Sequence, residues 1–255
     1  MASPLQRGIA YSSMAKNVKA DPFSKLEIKD DSFLNTISGR DICANCYKSR
    51  KFYCYSCYIP TDSVKNLIPF VELPFDVDVI KHPCETDGKS TAVHAAVIAP
   101  NNVRILTYPD VPDYQKDGSV ALVFPGKKSV PIKEYVKTSL NNSERRSLNK
   151  VVFIDSTWNQ TGGILAHPNL QGLPFVTFEP RASLFWRYQK GKPLCHLATI
   201  EAIYYLFVDY GTAFDGYYNR QYDNILFFFR YMYYKIHSIY GAENLRVNQA
   251  KQLFY

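Results

Sequence analysis

Apolar, β-branched runs recur along the chain and alternate with stretches whose apolar residues fall three and four positions apart, the pattern of an α/β fold. Strands are predicted at 71–80, where the second half alternates as a half-buried strand, and at 103–107, 120–124, 151–154 and 174–178. Helices are predicted at 62–68, at 92–99 with Pro100 as the stop, at 132–140, at 159–166 with Gly162-Gly163 interrupting or ending it, from 197 to about 210, and at 224–240. The last carries Phe227, Phe228, Phe229, Tyr231, Tyr233 and Tyr234, which leave little polar face, so it is expected to pack on the sheet. Residues 1–40 show no sustained period and read as a poorly ordered lead-in, with a short helix around 23–28.

One run organises the rest. Val151, Val152, Phe153 and Ile154 form a strand without polar interruption, and it ends in Asp155, Ser156, Thr157 and Trp158. In open parallel sheets, ligand crevices form beyond the carboxyl ends of strands, so this exit is a candidate site. The competing reading is that Asp155 or Ser156 merely caps the following helix, since Asp, Ser and Thr are common N-caps.

Composition narrows the class. A chain of 255 residues with 46% hydrophobic content can bury a substantial core, which excludes a disordered chain. A formal net charge of +7 favours an anionic partner, and 20 Tyr and 16 Phe beside Lys and Arg suit stacking on exposed bases, although most such rings fill cores. The first residues lack the apolar stretch of a signal peptide and no run is long enough to cross a bilayer, so an intracellular protein without a membrane partner is expected.

In a reducing compartment the six cysteines are not expected to form a disulfide framework. Cys43 and Cys46 form one Cys-x-x-Cys knuckle and, seven residues on, Cys54 and Cys57 form a second. Four thiolates so placed can converge on one tetrahedral Zn²⁺, and with all positions filled by sulfur the ion would be structural.

Other candidates are weaker. Gly88-Lys89-Ser90 resembles the end of a phosphate-binding loop, but the first glycine is missing, which argues against a nucleotide triphosphatase; Lys89 remains a candidate anion contact and Ser90 a cap. Arg145, Arg146 and Lys150 lie in a polar basic connector and are candidates for phosphate contact. Past the strand at 174–178 come Arg181 and an aromatic-basic segment with Trp186, Arg187, Lys190 and Lys192, which could hold a nucleic-acid backbone and stack a base, or be a surface loop with a packed Trp.

Taken together, Asp155-Ser156-Thr157-Trp158, the cluster Cys43, Cys46, Cys54 and Cys57, Lys81-His82-Pro83-x-Glu85, and Thr199-x-Glu201-Ala202 resemble the DTW-domain family of tRNA-uridine aminocarboxypropyltransferases. The resemblance spans about 43–240. It implies S-adenosylmethionine as donor of a 3-amino-3-carboxypropyl group, uridine N3 in the tRNA D-loop as acceptor, with position 20 as the expected uridine, and methylthioadenosine as by-product. It also implies a SPOUT-like knotted α/β domain. The expected organisation is a lead-in at 1–40, a four-cysteine zinc knuckle at 41–60 and a catalytic domain at 61–255.

On that resemblance Asp155 is the catalytic group, as base or as the acceptor that orients the N3 proton. Ser156, Thr157, Trp158, Thr199 and Glu201 would hold the donor, with Trp158 stacking on adenine or uracil. Lys89, Arg145, Arg146, Arg181, Trp186, Arg187, Lys190 and Lys192 would meet the tRNA, while His82 and Glu85 are secondary candidates. Three alternatives stay open: methyl transfer from the same donor, a ribosomal RNA acceptor, and a zinc-stapled RNA-binding module without catalysis. The nucleus is the expected location, with the cytoplasm as the alternative.

Overall fold

The computed structural model describes residues 21–116, 118–141, 148–187, 196–241 and 245. Two short antiparallel pairs come first, β1 (Asp41–Ile42) with β2 (Ser49–Arg50) and β3 (Tyr53–Cys54) with β4 (Ile59–Pro60). A six-stranded sheet follows, built from β5 (Asp76–Lys81), β6 (Val103–Thr107), β7 (Val120–Val123), β8 (Val130–Pro131), β9 (Lys150–Asp155) and β10 (Phe175–Thr177). Its order is β6-β5-β9-β7-β10-β8, and every pair in it is parallel. The helices are α1 (Ala92–Ile98), α2 (Ile132–Asn141), α3 (Trp158–Leu165), α4 (Thr199–Asp215) and α5 (Phe227–Tyr240).

A parallel sheet covered on both faces requires strands that are apolar on both faces, which is why β9 reads as an unbroken apolar run. Val151 and Phe153 join a core with residues of α1, α2, α4 and α5, whereas Val152 faces the opposite core with Ile164 of α3 and Leu170. This period of two decides where the polar residues at the strand exit go. By parity Asp155 emerges on the side of α1 and α4, and Ser156 on the side of α3. β9 also enters the sheet between β5 and β7, both laid down earlier in the chain, so its exit is flanked by the exits of two other strands.

Several expectations change. Residues 21–40 are not a loose lead-in: Phe23 and Leu34 are buried, and Phe23 meets the rings of Phe229, Tyr233 and Tyr234 of α5 edge-on. Arg230 fastens the segment by donating to Asp31 and to the carbonyls of Ile28 and Lys29. The helix expected around 23–28 is a turn, and 62–68 also forms turns. The half-buried strand expected after 71 is instead β5, a sheet strand buried along 77–81 between β6 and β9. Gly162 and Gly163 lie inside α3, α4 runs on past 210 to Asp215, and the last helix is preceded by a 3₁₀ turn at Asp223–Leu226. Among the described residues no helix is long and apolar enough to cross a membrane.

Candidate active site and metal centre

Asp155 sits at the end of β9 in register with Lys81 at the end of β5. Each of its carboxylate oxygens accepts a hydroxyl: Ser90 Oγ lies 2.5 Å from Oδ2, and Thr199 Oγ1 2.6 Å from Oδ1. Ser90 precedes α1 and Thr199 begins α4, so the parity of β9 delivers the acid to the N-termini of two helices, whose dipoles favour negative charge. Ser90 also accepts the Ala92 N–H at 3.3 Å from just before the helix, whose N-cap is Thr91 in place of the expected Ser90. The Asp155 carbonyl accepts the His82 N–H at 2.9 Å.

The capping reading, which named Asp155 or Ser156, is not borne out: the cap falls to Thr157. Thr157 is the N-cap of α3; its N–H and hydroxyl both donate to Gln160 Oε1, at 3.1 and 2.6 Å. Ser156 turns the other way, to Thr161 Oγ1 at 2.9 Å.

These groups line a cavity of about 740 Å³, a size suited to a nucleoside-sized ligand. Its aromatic wall includes Phe124, Trp158, Phe178 and Phe185; Trp158 is 42% exposed and stacks on His196 with ring centroids 4.7 Å apart. Glu85, Lys89, Ser90, Thr199, Arg181 and Arg187 supply its polar groups. Arg187 donates to the Lys89 carbonyl at 2.8 Å, which ties two sides of the mouth together.

Not every expected contact reaches the cavity. Glu201 is buried: its carboxylate accepts Ser183 Oγ at 2.7 Å, the Leu184 N–H at 2.6 Å and the Ala198 N–H at 2.7 Å. Burial pushes its pKa up despite these donors. Its expected contact with the donor is therefore corrected to a brace between the 183–184 loop and the start of α4. Trp186 packs on Phe229 of α5 with centroids 5.2 Å apart, a core contact in place of base stacking. Arg181 lines the cavity but its guanidinium is held by buried Asp209 at 2.9 Å. His82 does not line the cavity; its Nδ1 accepts the Cys84 N–H at 3.1 Å. Arg145, Arg146, Lys190 and Lys192 lie outside the described residues. Two exposed lysines that no motif marked, Lys127 and Lys128, follow Phe124 and Pro125 of the cavity wall; only the position of a strand exit could have pointed to them.

The four cysteines converge as their spacing predicts. Their sulfurs lie within 4.8 Å of one another, with Cys46 and Cys54 3.6 Å apart. A Zn²⁺ bound by four thiolates at about 2.3 Å requires sulfurs about 3.8 Å apart, so the donor set fits. Each knuckle closes the same way: the N–H of Tyr47 donates to Cys43 O at 2.9 Å and that of Tyr58 to Cys54 O at 2.8 Å. Both tyrosines adopt the left-handed conformation, at φ 58° and 59°.

Buried Arg50 donates to Cys54 Sγ at 3.2 Å and stacks on Tyr55 at 3.8 Å. Burial raises the Cys54 thiol, but Arg50 and the N–H groups of Ser56 and Cys57 outweigh it and bring it down to about 6. The knuckles approach the active-site loop: a Cβ added at Gly88 would lie 3.7 Å from the Tyr55 ring. Tyr58 feels the same neighbourhood: burial, then the charges of Asp87 and Asp155, raise its pKa.

The DTW domain family model matches residues 51–237. The chain is 43% identical over 261 residues to tRNA-uridine aminocarboxypropyltransferase 1 of Rattus norvegicus, covering 87% of this chain and 86% of the relative. The Homo sapiens protein of that name is 43% identical over 252 residues, at 84% and 83% coverage, and the Xenopus laevis one 41% over 255, at 85% and 88%. The solved structure of the SAM-dependent rRNA:acp-transferase Tsr3 from Vulcanisaeta distributa aligns at a TM-score of 0.40 and 15% identity, over 71% of this chain and 86% of that one.

Proposed function

The chain belongs to the DTW-domain family, and on that premise we propose that it transfers the 3-amino-3-carboxypropyl group of S-adenosylmethionine to N3 of a uridine in the tRNA D-loop. The observation that carries this reading is the convergence of two separate segments on Asp155 at a cavity of nucleoside size, in a chain 43% identical over most of its length to relatives named tRNA-uridine aminocarboxypropyltransferase 1. Bound in that cavity, S-adenosylmethionine supplies a carbon made electrophilic by the adjoining sulfonium.

The residues of the chain do the rest. Phe124, Trp158 and Phe178 offer apolar faces to the adenosine and uracil rings. Asp155 stands closest to the centre of the design, as the base for the N3 proton or as the acceptor that orients it. Holding the two substrates in one geometry supplies much of the acceleration. Lys89 and Arg187 at the mouth are suited to the anionic tRNA.

Further elements of the same reading are uridine 20 as the target, a SPOUT-like knot in the chain path, Zn²⁺ on Cys43, Cys46, Cys54 and Cys57, and a nuclear location in keeping with the net charge of +7. The test is product analysis after incubation with tRNA. Methylthioadenosine and a carboxypropylated uridine are expected; S-adenosylhomocysteine would assign methyl transfer instead, and RNA binding without turnover would assign a non-catalytic module.

A further inference from the structure

Loop 82–90 is tied to Asp155 at both ends. His82 donates its N–H to the Asp155 carbonyl at 2.9 Å, and Ser90 donates its hydroxyl to Oδ2 at 2.5 Å. Between these ties Glu85 folds back on His82, its N–H donating to the His82 carbonyl at 2.9 Å, and its side chain lines the cavity that Asp155 also lines. Two carboxylates therefore face one site, and they are not equivalent.

Asp155 already carries a hydroxyl donor on each oxygen, with the Thr199 bond completing the pair. Such bonds fix the carboxylate in one orientation and engage both of its oxygens within the protein, which suits it to anchoring. Glu85 has the opposite surroundings. Among the described residues no side chain donates a hydrogen bond to its carboxylate. Burial, and next the negative charge of Asp155, raise its pKa, only partly offset by the Thr157 N–H and by His82 and Lys81; Arg187 also faces it. A carboxylate whose pKa is raised is a better proton acceptor than one at its ordinary value.

We propose that Glu85 is the base that takes the N3 proton of the target uridine, and that Asp155 is the positioning residue that holds Glu85's loop and the start of α4 around the reacting atoms. This rests on the functional reading above and moves the proton-accepting role within it from Asp155 to Glu85. In the step, the N3–H bond gives its electron pair to the new N3–C bond, and the proton passes to the Glu85 carboxylate. The C–S bond breaks with its pair retained on sulfur, which leaves neutral methylthioadenosine.

The experiment is single-turnover transfer on the full chain with saturating S-adenosylmethionine and a tRNA transcript, measured from pH 5 to 9, with donor affinity determined in parallel. Glu85→Gln, which keeps the shape of the side chain, is expected to lose on the order of 10²–10⁴-fold in rate while its donor affinity stays within about threefold. Its residual rate should climb about tenfold per pH unit, because the imide must then ionise unaided. Wild type should level off above the raised Glu85 pKa, and Glu85→Asp and Asp155→Asn should keep that plateau at a lower height. The proposal is overturned if Glu85→Gln turns over within about threefold of wild type, if its donor affinity falls as far as its rate, or if Asp155→Asn is the variant that loses the plateau. Absence of carboxypropylated uridine with wild type would be a different failure, that of the functional reading itself.

Discussion

Thr199 Oγ1 lies 2.6 Å from Asp155 Oδ1, a hydrogen bond that joins the start of α4 to the end of β9 across 44 residues of sequence. The bond pairs two motifs that only folding brings together. A hydrogen bond to a charged group contributes about 1.5–3 kcal/mol, so Thr199→Val should lower the transfer rate by about 10- to 150-fold. Thr199→Ser should recover most of that. Equal rates for Val and wild type would show that the bond does not matter to the reaction.

Stability should fall in acid because of His94. It is buried in α1 between the rings of Tyr53 and Phe228, and burial, then the Arg187 charge, bring its pKa from 6.5 down to about 3. The unfolded chain therefore binds a proton between pH 6.5 and about 3 that the folded chain refuses. It follows that unfolding free energy drops with falling pH in that window, by up to about 1.4 kcal/mol per unit from this group. Urea unfolding of His94→Phe between pH 6.5 and 4 should show a shallower pH dependence than wild type.

The zinc proposal predicts a metal-to-protein ratio of one by elemental analysis, lost in Cys54→Ser. Phe52 and Tyr53 of the knuckles pack on Tyr231 and Phe228 of α5, and the Tyr55 ring stands next to Gly88 of the active-site loop, within 3.7 Å of where a Cβ there would be. Chelation should therefore lower the melting temperature and also weaken S-adenosylmethionine binding, although the cysteines do not line the cavity. Unchanged melting and binding in metal-free protein would remove the ion from the account.

Lys127 and Lys128 are exposed and follow Phe124 and Pro125 of the cavity wall. If each meets a phosphate, the double alanine variant should raise the Kd for tRNA and reduce the salt slope of binding by about two. Its affinity for S-adenosylmethionine should be that of wild type.

The legible parts of this molecule were those with a short-range signature. The unbroken apolar run of β9 announced a strand buried on both faces, and two Cys-x-x-Cys pairs announced a four-sulfur cluster; both are local patterns that survive folding unchanged. Ser90 and Thr199 stand out in the sequence for reasons other than their bonds to Asp155, because a contact over 65 or 44 residues leaves no mark in periodicity. The same limit applies to Glu201 and Trp186. A motif position says that a residue matters, but only the neighbours show that Glu201 braces a loop from within and that Trp186 fills space against Phe229. Residues 21–40 looked loose because their apolar residues are sparse, yet Phe23, Ile28 and Leu34 reach a helix some 200 positions away that is rich in rings.

The most direct measurement is of products. Purified protein, S-adenosylmethionine labelled in the aminocarboxypropyl moiety, and tRNA should yield one labelled nucleoside, a uridine heavier by that group at N3, with an equal amount of methylthioadenosine. Asp155→Ala should abolish both. Label absent from uridine, S-adenosylhomocysteine in place of methylthioadenosine, or full activity in the Asp155→Ala protein would contradict the account.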